Sequence, residues 1–551
     1  MLDLPFEKWT LGDALSQRVL QSGDAPFIRM VGSGALGFRK FQAQVLGLAE
    51  ALQREGVGPG DRVVIMGGNC LATLRGWFAL NLLGAIDVTI NTAYRGRPLE
   101  HAINTAQARL MLIGTRHLGV LAESEVHLPL LERALHFDDH AHEADAPVPQ
   151  AASTRFGRIT LAPLPAPSPP SAGWQAPGAH AQDLASIIFT SGTSGPAKGV
   201  MLAHAQTYLV SLESARQLQV REHDVYYIFH PLFHMSPRYV AIYAALIAGA
   251  QVCIDRAFDA AEWLQRIRAC GATVSIGHGP MLEMIHATPE RPDDADNPLR
   301  RLATSPFPWH IAADFERRFG VRGLEVWGMT EVNIPLWNSL DEPLRPGCGR
   351  LVSDEYEIAL VDPDTDLPAP EGAAGEIVVR GRRPWTLMQG YFGMPEATLK
   401  AWRNLWFHTG DLAWKDADGY YHFIDRLGDR IRRRAENISS YEIEVAAMQH
   451  ASVRECAAVG VASEFASDDD VLLVVVPGAD FDPGALLAHL AQVLPHFMVP
   501  RYIDTLDDLP RTPTNKVRKA ALRQRGIQAA TWDRKAEGVD LRALARAGRT
   551  S

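Results

Sequence analysis

Apolar and polar positions along the chain recur in two rhythms, one with the spacing of a helix and one with that of short buried strands. Gln42 to Leu52 is helical in period, Arg62 to Met66 reads as a short strand, Leu71 to Leu83 is helical again, and Ala85 to Ile90 returns to strand. Alternation of this kind predicts a parallel sheet covered by helices. A second such region follows, with candidate strands at Val225 to Phe229, Gln251 to Ile254 and Leu324 to Val326. Between the two regions, over about 145–182, Pro, Ala and Ser dominate, with Leu164-Pro165-Ala166-Pro167-Ser168-Pro169-Pro170 at the centre, which reads as a surface connection or excursion. From Gly375 the strands shorten and pair like hairpins, Glu376 to Arg380 and then Tyr420 to Asp425, predicting a small β-rich subdomain over about 340–426. After Arg426 a compact α+β unit is expected, with a helix near Tyr441 to Met448, strands at Ala457 to Val461 and Val471 to Val476, and a helix near Pro483 to Leu494. The fold class is therefore α/β, with a large multi-subdomain N-terminal domain (1–426) and a small C-terminal α+β domain (427–530). The Ala- and Arg-rich residues 531–551 read as a loose tail, and no internal repeat is found.

A chain of 551 residues, 47% of them hydrophobic, can bury several cores. Its formal charge of -10 supplies no basic field for nucleic acid, and no 20-residue apolar run spans a bilayer, so neither partner is expected. The start, Met1 to Lys8, lacks a basic region followed by an apolar core, which makes the cytoplasm the default compartment. Five cysteines, Cys70, Cys253, Cys270, Cys348 and Cys456, are widely spaced without a C-x-x-C pair, which argues against a disulfide framework or zinc site and for buried thiols. The sequence does not specify an oligomeric state; a homodimer is compatible with it.

The chemistry begins at Ile187-Ile188-Phe189-Thr190-Ser191-Gly192-Thr193-Ser194-Gly195-Pro196-Ala197-Lys198-Gly199, where a strand-like run stops at a tract of hydroxyls and glycines closing on one lysine. Glycines let backbone N–H groups turn toward an anion, Ser and Thr add donors, and Lys198 adds charge, so the segment suits a polyphosphate. It lacks the Gly-Lys-Ser/Thr of a Walker loop. Four further segments follow in order. Trp327-Gly328-Met329-Thr330-Glu331 offers an aromatic face for a purine, a hydroxyl for a phosphate and a carboxylate for Mg2+. Phe407-His408-Thr409-Gly410-Asp411-Leu412 sets a carboxylate after a tight turn, able to accept from ribose hydroxyls. Asp425-Arg426-Leu427-Gly428-Asp429-Arg430-Ile431 ends the β-rich part on an arginine, and Leu509-Pro510-Arg511-Thr512-Pro513-Thr514-Asn515-Lys516-Val517 presents a lysine on a Pro-restrained loop. Each alone has a structural reading as a turn or an isolated lysine; the ordered set does not.

With these motifs the chain resembles the adenylate-forming superfamily of acyl-CoA synthetases, luciferases and adenylation domains over about residues 10–525. Pro510 to Lys519, Ala435-Glu436-Asn437-Ile438 and Glu442-Ile443-Glu444 are most similar to the crotonobetaine/carnitine-CoA ligase group. The resemblance implies a site in the cleft between the two domains, a mobile C-terminal domain, and an acid:CoA ligase using ATP, Mg2+, CoA and a small carboxylic acid: the acid attacks the α-phosphorus of ATP, and CoA then displaces AMP. It implies that Thr190, Ser191, Gly192, Thr193, Ser194 and Lys198 hold the β- and γ-phosphates, Thr330 the α-phosphate, and Glu331 the metal. Trp327 and Gly328 would meet adenine, Asp411 and Arg426 the ribose, and Lys516 would bridge carboxylate and α-phosphate. His234, in Pro231-Leu232-Phe233-His234, matches a histidine near the acyl carboxylate, and Gly428 occupies the hinge where relatives carry Asp or Lys. Glycine keeps the hinge free to turn but removes a side-chain latch.

Asn515 stands for the usual glycine before the lysine, Ala435 for a glycine of the loop approaching pantetheine, and Arg430, Arg432, Arg433 and Arg434 form either a solvated strand edge or a contact for the 3'-phosphate of CoA. The expected acyl-pocket residues are Met235, Arg238, Phe307, Trp309 and Met329, with Tyr239 and Trp337 also among the candidate walls. They suit a bulky apolar acid or a betaine in an aromatic cage, and Arg238 is a candidate for a second anionic group. Rival readings are a stand-alone adenylation enzyme loading a carrier protein, an inactive acyl- or nucleotide-binding homologue, and a simple ATPase.

Overall fold

The computed structural model describes residues 1–139, 155–190, 197–427, 431–433, 436–438, 440–463, 469–494, 498–512 and 516–539, with only the backbone course of 432–433 and 436–438. The chain forms two compact units. Met1–Thr190, Pro196–Ile358 and Val379–Phe407 make the first, and Ala359–Val378 with His408–Ser551 the second. The division is thus not a single cut at 426: the antiparallel strands that carry Asp411 and Arg426, Phe407–Lys415 and Tyr421–Arg426, go with the C-terminal segment, their pairing holding them together.

The first unit contains two mostly parallel sheets. In the nine-stranded one, Arg322–Met329, Arg301–Thr304, Val274–Gly277, Val225–Ile228, Gln251–Ile254 and Pro26–Met30 lie side by side in parallel, with antiparallel strands at both edges. In the eight-stranded one, Leu184–Thr190, Ile86–Thr89, Arg62–Met66, Leu110–Gly114, Arg133–Phe137 and Ile159–Pro163 are parallel, and Lys198–Ala203 and Arg155–Phe156 close the edges. Strands covered on both faces read as continuous apolar runs, as in Val63-Val64-Ile65-Met66, all buried. Helices Leu71–Leu82 and His204–Gln217 are buried on nearly every side, not along one stripe.

Residues 155–163 of the expected surface excursion are sheet strands, since Ile159–Pro163 finds a parallel partner in Arg133–Phe137. Beyond them the Pro-rich segment lies on helix Phe38–Arg54: the Ser171 amide donates to Glu50 at 2.7 Å and the Trp174 indole to Gln53 at 2.9 Å. All five cysteines are buried thiols, and Cys253 and Cys270 meet at 2.6 Å between sulfurs. No helix among the described residues is long and apolar enough to cross a membrane.

The second unit is built on a four-stranded sheet in the order Val453–Ala462, Asp469–Pro477, Tyr502–Thr505, Trp532–Asp533. Its central strand alternates between two cores: Val471, Leu473 and Val475 pack with Ile443, Leu486 and Leu490, whereas Leu472, Val474 and Val476 pack with Leu509 and Leu522. The expected tail is not loose from the start. Trp532–Asp533 pairs with Tyr502–Thr505, and Asp533 takes an ion pair from Arg501 at 3.3 Å; residues 540–551 lie outside the described residues.

Arg238, expected to line a pocket, is a core residue. It is 1% exposed, its guanidinium donates to Asp87 at 2.7 Å and lies 4.4 Å from the Trp77 ring, and Asp87 also accepts from Asn81 and Ser186. Removing one partner of a buried pair leaves an uncompensated charge. Arg238→Ala is therefore expected to lower unfolding free energy by about 3–5 kcal/mol, and the double substitution Arg238→Met/Asp87→Leu to recover most of it. Equal losses in single and double variants, measured by denaturant unfolding, would contradict this reading.

Candidate functional site

The two ends of the glycine-rich tract are neighbours. Leu184–Thr190 and Lys198–Ala203 pair antiparallel with Thr190 opposite Lys198, and the Thr190 hydroxyl donates to the Lys198 carbonyl at 3.5 Å. Ser191, Gly192, Thr193 and Ser194 lie outside the described residues. Residues 389–392 run along the second strand: Met201 donates to the Gly390 carbonyl at 3.0 Å, Gln389 to Met201 at 2.9 Å and Phe392 to Gly199 at 2.8 Å. This brings the Tyr391 ring to 4.7 Å from the Lys198 ammonium, while the Tyr391 hydroxyl donates to Glu331 Oε1 at 3.1 Å. Burial, and then the Glu331 charge, raise the Tyr391 pKa, so the phenol stays a donor.

Glu331 sits in the turn Thr330-Glu331-Val332 between Arg322–Met329 and Asn333–Trp337. The turn is over-determined. Gln206 donates to the carbonyls of Thr330 and Glu331 at 3.1 and 3.4 Å, and the Met388 amide donates to the Glu331 carbonyl at 3.0 Å. Asn333, with φ of 66°, holds the left-handed conformation the return requires, and its amide donates to the Tyr356 hydroxyl at 3.0 Å and the Thr386 carbonyl at 2.9 Å. Tyr356 in turn donates to Glu213 at 2.8 Å, whose carboxyl burial pushes up to about 7. Glu331 itself is 4% exposed. Trp327 is 5% exposed, so little of its indole is accessible.

His234 is half-buried, just ahead of the π-helical segment Ser236–Tyr243, with its ring 4.3 Å from that of Phe233. Such π-helical turns concentrate at functional sites. Met235 is buried, Met329 half-buried and Trp337 fully buried. One further acyl-pocket expectation, Phe307, is corrected, whereas Trp309 is half-buried. Phe307 is fully buried in the core, packed so closely on the 322–329 strand that a Cβ at Gly323 would collide with its ring. Trp309 packs on the same core and donates its indole N–H to Glu325 at 2.6 Å, a carboxyl that burial pushes up to about 8.

In the second unit, Asp411 and Arg426 face each other in register across the Phe407–Lys415 and Tyr421–Arg426 pair, 3.1 Å apart. Asp411 is 3% exposed; its amide donates to Thr409 Oγ1, and Glu376 accepts from the Gly410 amide, where φ is 72°. Lys516 belongs to the same group. Its amide donates to Thr512 Oγ1 at 3.1 Å, its carbonyl accepts from the Thr512 amide at 2.7 Å, and Arg511 bridges to Val517, so it lies on the returning limb of a pinned loop. Lys516 keeps exposed surface, yet its pKa is lowered, first by desolvation and then by the Arg426 charge, with Asp411 opposing. A network the sequence did not reveal holds this arrangement. Ser440 donates its amide to Asp425 at 2.8 Å and its hydroxyl to the same oxygen, and Lys519 pairs with Ser440 and, at 2.8 Å, with Glu444. Gly428, Arg430, Arg434, Ala435 and Asn515 lie outside the described residues, as do the side chains of Arg432 and Arg433. Among the described residues no three His, Cys, Asp or Glu side chains converge as a metal cluster.

The chain matches the family model of the AMP-binding enzyme over residues 15–392 and that of the AMP-binding enzyme C-terminal domain over residues 442–516. A medium/long-chain-fatty-acid–CoA ligase of Mycobacterium tuberculosis is 32% identical over 453 residues, 82% of this chain and 83% of the relative. A crotonobetaine/carnitine–CoA ligase of Salmonella enteritidis is 29% identical over 484 residues, 85% of this chain and 89% of the relative. In fold, the chain is similar to an anthranilate CoA ligase solved with anthranoyl-AMP, with a TM-score of 0.82 at 22% identity over 96% of this chain and 99% of the other.

The hairpin that presents Thr330 and Glu331 closes over Gly328. A Cβ there would meet the Asn333 carbonyl oxygen and lie 2.7 Å from Ile334 Cα, backbone atoms that cannot step aside. Gly328→Ala is expected to cost about 1–3 kcal/mol, a drop in melting temperature of roughly 2–4 °C per kcal/mol. An unchanged melting temperature would show that the hairpin tolerates the methyl.

Proposed function

The chain belongs to the AMP-binding enzyme family, and from that premise we infer that it is an acid:CoA ligase working through an acyl-adenylate. In the first half-reaction a substrate carboxylate oxygen bonds to the α-phosphorus of ATP and the bond to pyrophosphate breaks. In the second, a CoA thiol gives up its proton, sulfur bonds to the acyl carbon, and AMP leaves.

The obstacle in the first step is charge. Two unit charges 4 Å apart repel by about 1 kcal/mol in bulk water and about 4 kcal/mol at an effective dielectric near 20, so a cation between them lowers the barrier. Lys516 is that cation. The observation carrying this assignment is that its ammonium shares one electrostatic environment with Asp411 and Arg426, the pair assigned to the ribose. Lys198 with Thr190, Ser191, Gly192, Thr193 and Ser194 holds the β- and γ-phosphates, and Thr330 the α-phosphate. Trp327 and Gly328 border the adenine, and Gly428 is the hinge. Tyr391 serves both ends of this group: its ring lies beneath Lys198 and its hydroxyl fixes one oxygen of Glu331. His234 borders the acyl carboxylate, with Met235 and Met329 nearby in the acyl pocket.

Glu331 suits Mg2+, a hard cation that takes one or two protein carboxylates and completes its shell with phosphate and water oxygens. Bound there, the ion would neutralise phosphate charge; the chain's own part is to orient Glu331, Tyr391 holding one carboxylate oxygen and Gln206 the backbone carbonyl.

The decisive variant is Lys516→Ala. It is expected to reduce acyl-AMP formation by at least about a hundredfold while leaving thioester formation from supplied acyl-AMP within about threefold, because the second step has no anion pair to bridge. Rapid-quench assays of the two half-reactions check this, and equal loss in both would overturn the role of Lys516.

A further inference from the structure

Open α/β sheets bind ligands outside the carboxyl ends of their parallel strands. In the nine-stranded sheet that edge carries an unusual group. His230 follows Val225–Ile228, His278 follows Val274–Gly277, and Ser305 follows Arg301–Thr304. The rings of His230 and His278 meet edge to face at 90° with centroids 4.7 Å apart, and His278 Nδ1 is 3.4 Å from the Ser305 carbonyl. His234, assigned above to the acyl carboxylate, lies four residues beyond His230 and is within its electrostatic reach.

His230 is the odd member. It is 2% exposed, stacked at 4.3 Å on Phe229, and neither of its ring nitrogens has a hydrogen-bond partner among the described residues. Its backbone is not free to relieve this. Asn69 donates to the His230 carbonyl at 3.0 Å and to the Asp255 carbonyl at 2.9 Å, and its own oxygen accepts from the Leu232 amide at 3.0 Å, pinning the chain on both sides of the ring. A desolvated imidazole leaves one N–H donor and one acceptor nitrogen unmet, a cost that protein interiors avoid unless something else supplies the bonds. A saturated hydrocarbon cannot supply them.

We propose that His230 and His278 form a polar wall of the acyl pocket beside His234, and that the enzyme selects carboxylic acids bearing a hydroxyl group over the unsubstituted acids of the same skeleton. This rests on the acid:CoA ligase reading. A hydroxyl both donates and accepts, the complement of a neutral imidazole. Burial and the neighbouring His278 and His234 hold His230 well below the ordinary histidine range, so it meets a neutral hydroxyl better than a second carboxylate, which would call for an imidazolium. His230 and His278 are specificity residues here, with no part in the bond changes.

The test is pyrophosphate release by the full-length protein with ATP, Mg2+ and CoA on matched pairs: benzoate against meta- and para-hydroxybenzoate, cyclohexanecarboxylate against its ring-hydroxylated forms, and hexanoate against its terminal hydroxy acid. The preferred pair is expected to show kcat/KM at least about tenfold higher for the hydroxylated member, and His230→Leu to bring that ratio within about twofold of unity. The melting temperature of the Leu variant is expected to be unchanged or higher, since an unmet polar group is removed. Release without hydroxyl preference in any pair, a preference that survives His230→Leu, or a Leu variant that melts several degrees lower would each overturn this inference alone. No release with any acid would overturn the ligase reading as well.

Discussion

Keeping two like charges in the company of one buried carboxylate is the constraint around which the second unit is organised. Lys516 and Arg426 repel each other, and Asp411 offsets part of that repulsion. Such an arrangement does not hold itself together. It is held by structure that makes no use of the three charges: Asp425, one residue before Arg426, is tied to Ser440, and Ser440 to Lys519, three residues beyond Lys516. Val517 packs against the same core as Leu472 and Val474 and fixes the loop from its apolar side. The cost of crowding the cations is thus carried by ordinary packing and a polar network, and the Lys516 pKa is lowered first by desolvation and then by the Arg426 charge. On the role proposed for Lys516, a transition state in which negative charge accumulates relieves that crowding, so interactions unfavourable in the resting protein become favourable at the moment of reaction.

The first unit applies the same logic with the opposite sign. Glu331 is a buried carboxylate kept at a hairpin turn by Gln206, Met388 and Tyr391. Tyr391 lies under Lys198, the residue that closes the glycine-rich tract. One aromatic side chain therefore coordinates the positions of a cation and an anion from two sequence-distant motifs.

Much of the frame was legible before any coordinates. Arg62 to Met66 matches its strand residue for residue, and the helix at Tyr441 to Met448 differs by one residue at its start, because strong periodicity with few competing signals leaves little choice. The turns that carry Thr330, Glu331 and Asp411 were legible for a different reason: turns announce themselves by Gly and Thr, and the phosphate, ribose and metal roles proposed for Thr190, Lys198, Thr330, Glu331, Asp411, Arg426 and Lys516 rest on residue type and order. Arg238 and Phe307 were misread, since an arginine and an aromatic near a motif look alike whether they line a pocket or complete a core; the buried Asp87 that claims Arg238 lies 151 positions away in sequence. Tyr391, Gln206 and Lys519 were missed because their partners are set by tertiary pairing and carry no local signature. The docking of Trp532 was hidden by the composition of the residues around it.

The account is tested most directly by the pH dependence of ATP–pyrophosphate exchange, which reports the adenylation step. On the role proposed for Lys516 that step needs its ammonium protonated, and a lysine whose pKa is lowered loses its proton earlier as pH rises. The predicted result is an exchange rate that falls on the alkaline side with a midpoint below the 10.5 of an ordinary lysine, and a Lys516→Arg variant in which any residual exchange lacks that limb because guanidinium stays charged. An alkaline limb that is the same in wild type and Lys516→Arg would contradict the claim that this ammonium carries the first step.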